Sequence, residues 1–474
     1  SVMIMLLGLA VLWYSDWQGP TRRLWAWLQE FWARRQQYMT PTPDLAEPGV
    51  FDDTPADEPV ESPSAKEKPR RKKAAKAAQK EDAQPAPVAV AKPAAAAADK
   101  EGNPYAGYRL PGIKLLNELP ARTSLFDPRE VNAKKQALQE TLESFGIDAT
   151  VGEATNGPRV TLFEVKPAPG VKVERISRLA NNIRMNLKAA SLRILTPIPG
   201  RDTVGVEVPK GKASQVLLRE ILQSSPWRNP KAQLPIALGK NIAGQPEILD
   251  LSRAPHLMIA GATGSGKSVC INSLITSLLF RFRPDQLKLI LIDPKVVEFA
   301  AYARLPHLVT PVINDVKKVP LALNWAVKQM EWRYRILSKA GVRNLADYNS
   351  RKLPEEPVLD DEGNPIPDRL PFLVIVIDEL ADIMMSSKQE VETLLARIAQ
   401  MARAVGIHAV IATQRPSVNV ITGVIKANFP TRIAFQVTSI TDSRTIIDGK
   451  GAEALLGRGD MLFKPPTGSK LERT

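Results

Sequence analysis

Leu257-Met258-Ile259-Ala260-Gly261-Ala262-Thr263-Gly264-Ser265-Gly266-Lys267-Ser268-Val269 decides the fold of this chain. Residues 257–260 are a short apolar run of the kind that forms a buried strand. Residues 261–268 fit G-x-x-x-x-G-K-[ST], the phosphate-binding loop of nucleoside triphosphatases. From Val269 to Phe280 the sequence is apolar and helix-compatible. A strand, a glycine-rich turn and a helix N-terminus together cradle phosphate: glycines let consecutive N–H groups face one anion, and the helix dipole adds to the field. Gly261, Ala262, Thr263, Gly264, Ser265, Gly266, Lys267, Ser268 and Val269 are therefore the expected nucleotide contacts. Lys267 supplies positive charge to the β- and γ-phosphates, and the Ser268 hydroxyl is an expected Mg²⁺ ligand.

Working outward, more apolar strands end in polar residues. Leu373–Ile377 runs into Asp378-Glu379. Asp378 is placed to hold Mg²⁺ through water, and Glu379 to orient or activate the attacking water, because phosphoryl transfer needs mainly positioning and electrostatic stabilisation. The strand Ala409–Ala412 closes on Thr413-Gln414, whose amide can sense the γ-phosphate or hold the water. Arg415 follows and is the first candidate for an arginine finger reaching a neighbouring subunit's γ-phosphate; Arg403 and Arg432 lie nearby in sequence. Asp293-Pro294-Lys295 ends a further strand, Leu287–Ile292, with either a structural or a coupling role. Phe372–Ile377 and Ile433–Val437 complete the strand set, and Val319–Leu337 reads as a helix. Strands alternating with helices, with the phosphate loop among them, predict an α/β P-loop domain with a parallel-rich sheet over residues 233–474.

The formal charge of +14 on 474 residues points to a polyanionic partner, nucleic acid or an anionic membrane surface. A single cysteine, Cys270, excludes an internal disulfide and a cysteine zinc site, and reads as a small apolar residue. The three histidines, His256, His307 and His408, sit in separate segments and make a histidine metal site a poor fit.

Upstream, residues 104–232 read as a small α+β domain. Val131, Leu138, Leu142 and Phe145 share one helical face, and Val173, Ile176, Leu179, Ala180, Ile183 and Leu187 another. Val160–Val165, Leu192–Leu195 and Val204–Val208 read as strands. Residues 18–103 form a juxtamembrane segment and a Pro/Ala- and charge-rich linker that buries too little apolar area to order itself. Its basic run from Lys66 to Lys76 suits either solvent or a DNA or lipid surface. Residues 1–17 open with an apolar run, Val2–Tyr14, shorter than the roughly 20 residues of a full span. Arg22, Arg23, Arg34 and Arg35 follow it, so the run reads as the end of a transmembrane helix with the rest on the cytoplasmic side. An exposed amphipathic tail is the other reading.

Several long motifs, in order, resemble the FtsK/SpoIIIE family of DNA translocases. They are YRLPGIKLLNELP at 108–120, the phosphate loop, LIDPK at 291–295, RYRILSKAGVRNLADYN at 333–349, VIDELADIMM at 376–385, ARAVGIHAVIATQRPSVNVITGVIKANFPTRIAF at 402–435 and GAEALLGRGDML at 451–462. The resemblance covers roughly residues 108–463. It implies an FtsK alpha-like domain followed by an FtsK beta-like motor of RecA-like fold, with ATP and Mg²⁺ as cofactors. It further implies a homo-hexameric ring that pumps double-stranded DNA at the division septum of the bacterial inner membrane, with cell-division and site-specific recombination proteins as partners. On that plan the chain holds only the last piece of the membrane domain. It stops short of a final strand and of the winged-helix module that reads DNA sequence. A motor that grips the backbone contacts phosphates, and Lys426, Lys450 and Arg458 are the expected DNA-binding residues. A secretion-type ATPase that moves protein substrates at a membrane is the alternative, although such chains carry several motor domains and this one has a single phosphate loop.

Overall fold

The structure, a computed structural model, describes residues 105, 107–118, 127–198, 200–229, 231–466 and 471–474. The expected membrane helix and linker, residues 1–17 and 18–103, lie outside the described residues. Among the described residues no helix is long and apolar enough to cross a membrane.

The N-terminal domain is built on a four-stranded antiparallel sheet in the order β1-β2-β4-β3. Its elements run α1 (Pro128–Ser144), β1 (Ala149–Asn156), β2 (Val160–Pro167), α2 (Val173–Arg178), α3 (Ala180–Asn186), β3 (Arg193–Leu195) and β4 (Val204–Pro209). Asp127 caps α1 through the Arg129 N–H, and Pro128 occupies the first turn, where its missing N–H costs nothing. Leu138, Leu142, Phe163, Val165, Ile176, Ile183 and Val206 are fully buried between helices and sheet. The sequence periodicity over 173–187 predicts one helix, whereas two short ones form. Leu179 (φ −84°, ψ 4°) leaves the helical region between them and packs against the core, a break with no Pro or Gly to announce it.

A short helix α4 (Leu218–Leu222) and a hairpin, β5 (Pro235–Lys240) with β6 (Pro246–Asp250), lead into the second domain. There the elements are β7 (His256–Ala260), α5 (Lys267–Leu279), β8 (Leu287–Ile292), α6 (Val319–Lys339), α7 (Leu345–Ser350), β9 (Phe372–Ile377), α8 (Leu380–Met401), β10 (Ile407–Thr413), α9 (Gly423–Asn428), β11 (Thr431–Phe435), α10 (Ile440–Ile447), β12 (Met461–Lys464) and β13 (Glu472–Arg473). They form a seven-stranded sheet, β13-β12-β11-β7-β10-β9-β8. The five strands from β11 to β8 are parallel, and β12 and β13 add antiparallel at one edge. The parallel strands are largely apolar because both faces are covered. One face packs on α6 and α8, the other on α5. This is an α/β domain, as the alternation of strands and helices predicts. The parallel strands finish at one edge, where ligands bind in such sheets.

The three histidines are structural. His256 and His408 lie side by side near the starts of β7 and β10, and burial pushes them down to about 3 and about 4. Both are therefore neutral fillers of the sheet. Cys270 packs against the core, and burial pushes its thiol up to about 12, so it stays protonated and unreactive.

The two domains share a buried ionic network. Glu207 on β4 accepts from Arg193 at 2.9 Å and from Arg473 on β13, and Arg473 also pairs with Asp460 at 2.6 Å. Glu207 is 1% and Arg473 4% exposed. Removing one charge from such a cluster strands the others out of water. Glu207→Gln is expected to destabilise the protein by about 3–5 kcal/mol. A thermal melt unchanged from wild type would contradict this.

Candidate nucleotide site

Each sequence-predicted nucleotide residue sits on a turn that leaves the sheet at its C-terminal edge. The loop after β7 is held from both sides: the Ala262 N–H donates to the Gln436 carbonyl at 2.9 Å, and the Gly459 N–H to the Ser265 carbonyl at 2.8 Å. Gly266 has φ +117°, and a Cβ there would meet the Gly459 nitrogen at 2.4 Å. Glycine is thus required twice at that position, for the left-handed backbone and for the close approach of the second loop. The loop lines a cleft of about 360 Å³ together with Gln414, Arg458 and Gly459, a volume suited to a small-molecule ligand.

Lys267, 3% exposed, begins α5 and turns inward. Its Nζ lies 2.7 Å from Asp378 Oδ1 and donates to the Asp378 carbonyl at 2.7 Å. Burial pushes the Asp378 carboxyl above the usual carboxylate range, against the opposing pull of the Lys267 ammonium. Asp378 Oδ2 and Ser265 Oγ are buried and have no hydrogen-bond partner. Buried polar atoms are nearly always satisfied, so an orphaned carboxylate oxygen and an orphaned hydroxyl beside the phosphate loop mark places for a ligand. They fit a magnesium nucleotide: the orphaned Asp378 oxygen suits a cation's water shell, Ser268 offers a hydroxyl ligand, and the loop's N–H groups offer donors to phosphate. Among the described residues no cluster of three or more His, Cys, Asp or Glu could hold a metal by itself. That agrees with a cation bound mainly through phosphates and water.

Glu379 caps α8, donating nothing and accepting from several directions. Its Oε1 accepts from Thr413 Oγ1 at 2.7 Å and from the Gln414 and Ala381 N–H groups, and its Oε2 lies 3.2 Å from Lys295 Nζ. The strand order explains this. β10 lies between β7 and β9, so Thr413 and Gln414 fall between the phosphate loop and the acidic pair. Gln414 Oε1 accepts from Thr263 Oγ1 at 2.8 Å, which joins the loop to β10.

The other candidates separate. Arg415 is exposed and lies against α8, with Asp382 at 3.9 Å and Met385 Sδ at 3.7 Å. Arg432 is a structural residue: it is 6% exposed and donates to the carbonyls of Phe429, Ile446 and Lys426. The expected DNA contacts sit in three different surroundings. Lys426 is engaged with Asp448 at 2.5 Å, in a cluster with Arg432 and Lys464. Burial pushes the Asp448 carboxyl up, but hydrogen bonds from these three cations outweigh it and hold it well below the usual range. Arg458 lines the nucleotide cleft, because its loop packs against Gly266, and its carbonyl accepts from Arg159 of the N-terminal domain at 3.0 Å. Lys450 remains exposed.

Sequence reasoning missed Glu298 and Arg193, and named Lys295 without its partner. Lys295 sits against Glu379, and Glu298 accepts from Ser268 Oγ at 2.8 Å. Arg193 backs Gly451. Asp293, whose role the sequence leaves open, is structural: fully buried, it accepts from the N–H groups of Lys295, Glu298 and Phe299 and shapes that turn.

Residues 110–210 match the FtsK alpha domain, and residues 217–418 match the FtsK/SpoIIIE family, together more than half of the chain. The chain belongs to the FtsK/SpoIIIE family. Its second domain is accordingly a P-loop ATPase domain. Curated relatives include the DNA translocase FtsK of Caldanaerobacter subterraneus, 53% identical over 77% of this chain and 49% of that protein. The DNA translocase SftA of Bacillus subtilis is 50% identical over 75% of this chain and 36% of that protein. The chain spans about half the length of the first curated relatives it matches. Among solved structures, the pCW3 conjugation coupling protein TcpA is similar at 21% identity and a TM-score of 0.48, over 72% of this chain and 94% of that one.

Lys267→Ala removes the buried charge at the start of α5 that pairs with the Asp378 carboxylate. Its affinity for ATP, measured by calorimetry, is expected to fall at least about tenfold, the scale of one lost charge-assisted hydrogen bond. Affinity equal to wild type would contradict the assignment.

Proposed function

We propose that this chain is the motor portion of an ATP-driven double-stranded DNA translocase. The observation that carries the reading is the convergence of the phosphate loop, Asp378, Glu379 and Gln414 at one sheet edge, in a chain about 50% identical to DNA translocases.

In this reading the loop N–H groups and Lys267 bind the triphosphate. Ser268, and Asp378 through water, would hold Mg²⁺, which when bound would supply charge neutralisation on the phosphates. Glu379 orients the attacking water. As seen, its two oxygens are occupied by Thr413, Gln414 and Lys295, so the carboxylate is fixed in position and reaches the water once Lys295 withdraws. Gln414 reports the γ-phosphate through Thr263. Arg415 is exposed beside the site and suits a finger acting on a neighbouring subunit of a homo-hexameric ring. The net charge of +14 suits a DNA backbone track, with Lys450 and Arg458, both exposed, and Lys426 as its candidates. Anchoring at the inner membrane through the N-terminal segment, action at the division septum in chromosome segregation, and recombination and division partners follow from the family. The names of the relatives favour DNA over a protein substrate of the secretion type.

The test is ATP-dependent displacement of a third strand from a long duplex. The wild-type chain is expected to displace it. Glu379→Gln is expected to retain bound ATP and displace nothing. Basal ATP hydrolysis without displacement or duplex stimulation would favour the protein-moving reading. Normal turnover by Glu379→Gln would remove it as the water-orienting group.

A further inference from the structure

Ser268 donates its hydroxyl proton to Glu298 at 2.8 Å, while Asp378 is turned to Lys267. The carboxylate that faces the phosphate-loop serine therefore comes from the turn after β8, outside the acidic pair at the end of β9. We propose that Glu298 is the positioning residue for the magnesium end of the nucleotide. It draws the Ser268 proton to one side, so that the oxygen's lone pair faces the cation, and it adds negative charge across from Asp378. The proposal rests on the nucleotide reading above.

Three observations support it. The turn that carries Glu298 is rigidly built. Asp293, fully buried, accepts from the Glu298 N–H at 2.9 Å and the Phe299 N–H at 3.0 Å, and Phe299 is itself fully buried in the core. Val296, a β-branched residue, is held at φ +61°, a conformation such residues adopt only when the surroundings impose it. The same segment grips α5 one turn further on: Tyr302 donates to Asn272 at 2.6 Å, and Asn272 donates to the Ser268 carbonyl at 3.0 Å. Ser268 is thus held through both its hydroxyl and its carbonyl by groups tied to one segment, residues 293–302. Finally, Asp378 Oδ2 is buried without a partner, an independent mark of a place for a ligand at the end of β9. With a cation bound, Ser268 and Asp378 would hold it and Glu298 would keep the Ser268 oxygen oriented toward it.

Fluorescent N-methylanthraniloyl-ADP, titrated on the full chain in EDTA and at rising Mg²⁺, tests this without relying on turnover. In wild type, magnesium is expected to strengthen binding. In Glu298→Ala, affinity in EDTA is expected to match wild type while the Mg²⁺ needed for half-maximal strengthening rises about tenfold, the scale of losing a group that orients a metal ligand. Glu298→Gln keeps an acceptor for Ser268 but loses the charge, and is expected to fall between the two; it also carries the test if the alanine variant does not fold. A Mg²⁺ dependence identical to wild type in both variants would overturn the proposal. So would tighter binding by Glu298→Ala in EDTA, which would make Glu298 a plug of the empty cleft. Failure of the wild-type chain to bind the nucleotide at all would sink the nucleotide reading itself, a result separable from either variant's behaviour.

Discussion

A lysine and an aspartate, both cut off from solvent, hold the centre of this molecule together. Lys267 has 2% and Asp378 0% of the side chain exposed, and their charged atoms are 2.7 Å apart. Burying two ions is costly, and the cost is offset only if each finds a partner with good geometry. Here each finds the other, with the Asp378 carbonyl as a further acceptor. The pair ties the helix that follows the phosphate loop to the end of β9. It is also replaceable. A triphosphate offers Lys267 more negative charge than one carboxylate does, and a cation offers Asp378 an equivalent of the lysine. The site is therefore stable as it stands and disposed toward exchange.

Around that pair the strand order assigns the remaining roles. Because β10 separates β7 from β9, the Thr413-Gln414 turn bridges the loop and the acids, and Glu379 is clamped by three N–H or O–H donors and a lysine. A second loop, 457–460, presses on Gly266 and carries Asp460 into the buried cluster with Arg473, Glu207 and Arg193. A continuous set of packed and ion-paired groups thus runs from the phosphate loop to the small N-terminal domain. Rigid connections of this sort are what allow a local change of charge to be felt at a distance.

The parts of the fold that depend on local pattern were legible in the sequence. The strands β8 and β9 have the bounds that their apolar runs predict, and β7, β10 and β11 lie within a few residues. The phosphate loop follows from eight consecutive residues. What was not legible depends on contacts between distant segments. The two-residue strand β13 and the hairpin β5–β6 are too short or too irregular to show periodicity. Leu179 breaks a helix with no breaker residue. Glu298 is 30 residues from Ser268, in a segment with no motif of its own. Lys295 was visible in sequence, but its partner was not. Arg458 and Lys426 read as free surface cations because sequence does not reveal that one borders the nucleotide cleft and the other is held by Asp448.

The account turns on the exchange of the Lys267–Asp378 pair. A crystal structure of the chain with a non-hydrolysable ATP analogue and magnesium measures it directly. Lys267 Nζ is predicted to leave Asp378 Oδ1 for the β- and γ-phosphate oxygens, with Asp378 turned to the water shell of the ion beside Ser268. An analogue bound in the cleft with the 2.7 Å pair still intact would contradict the account.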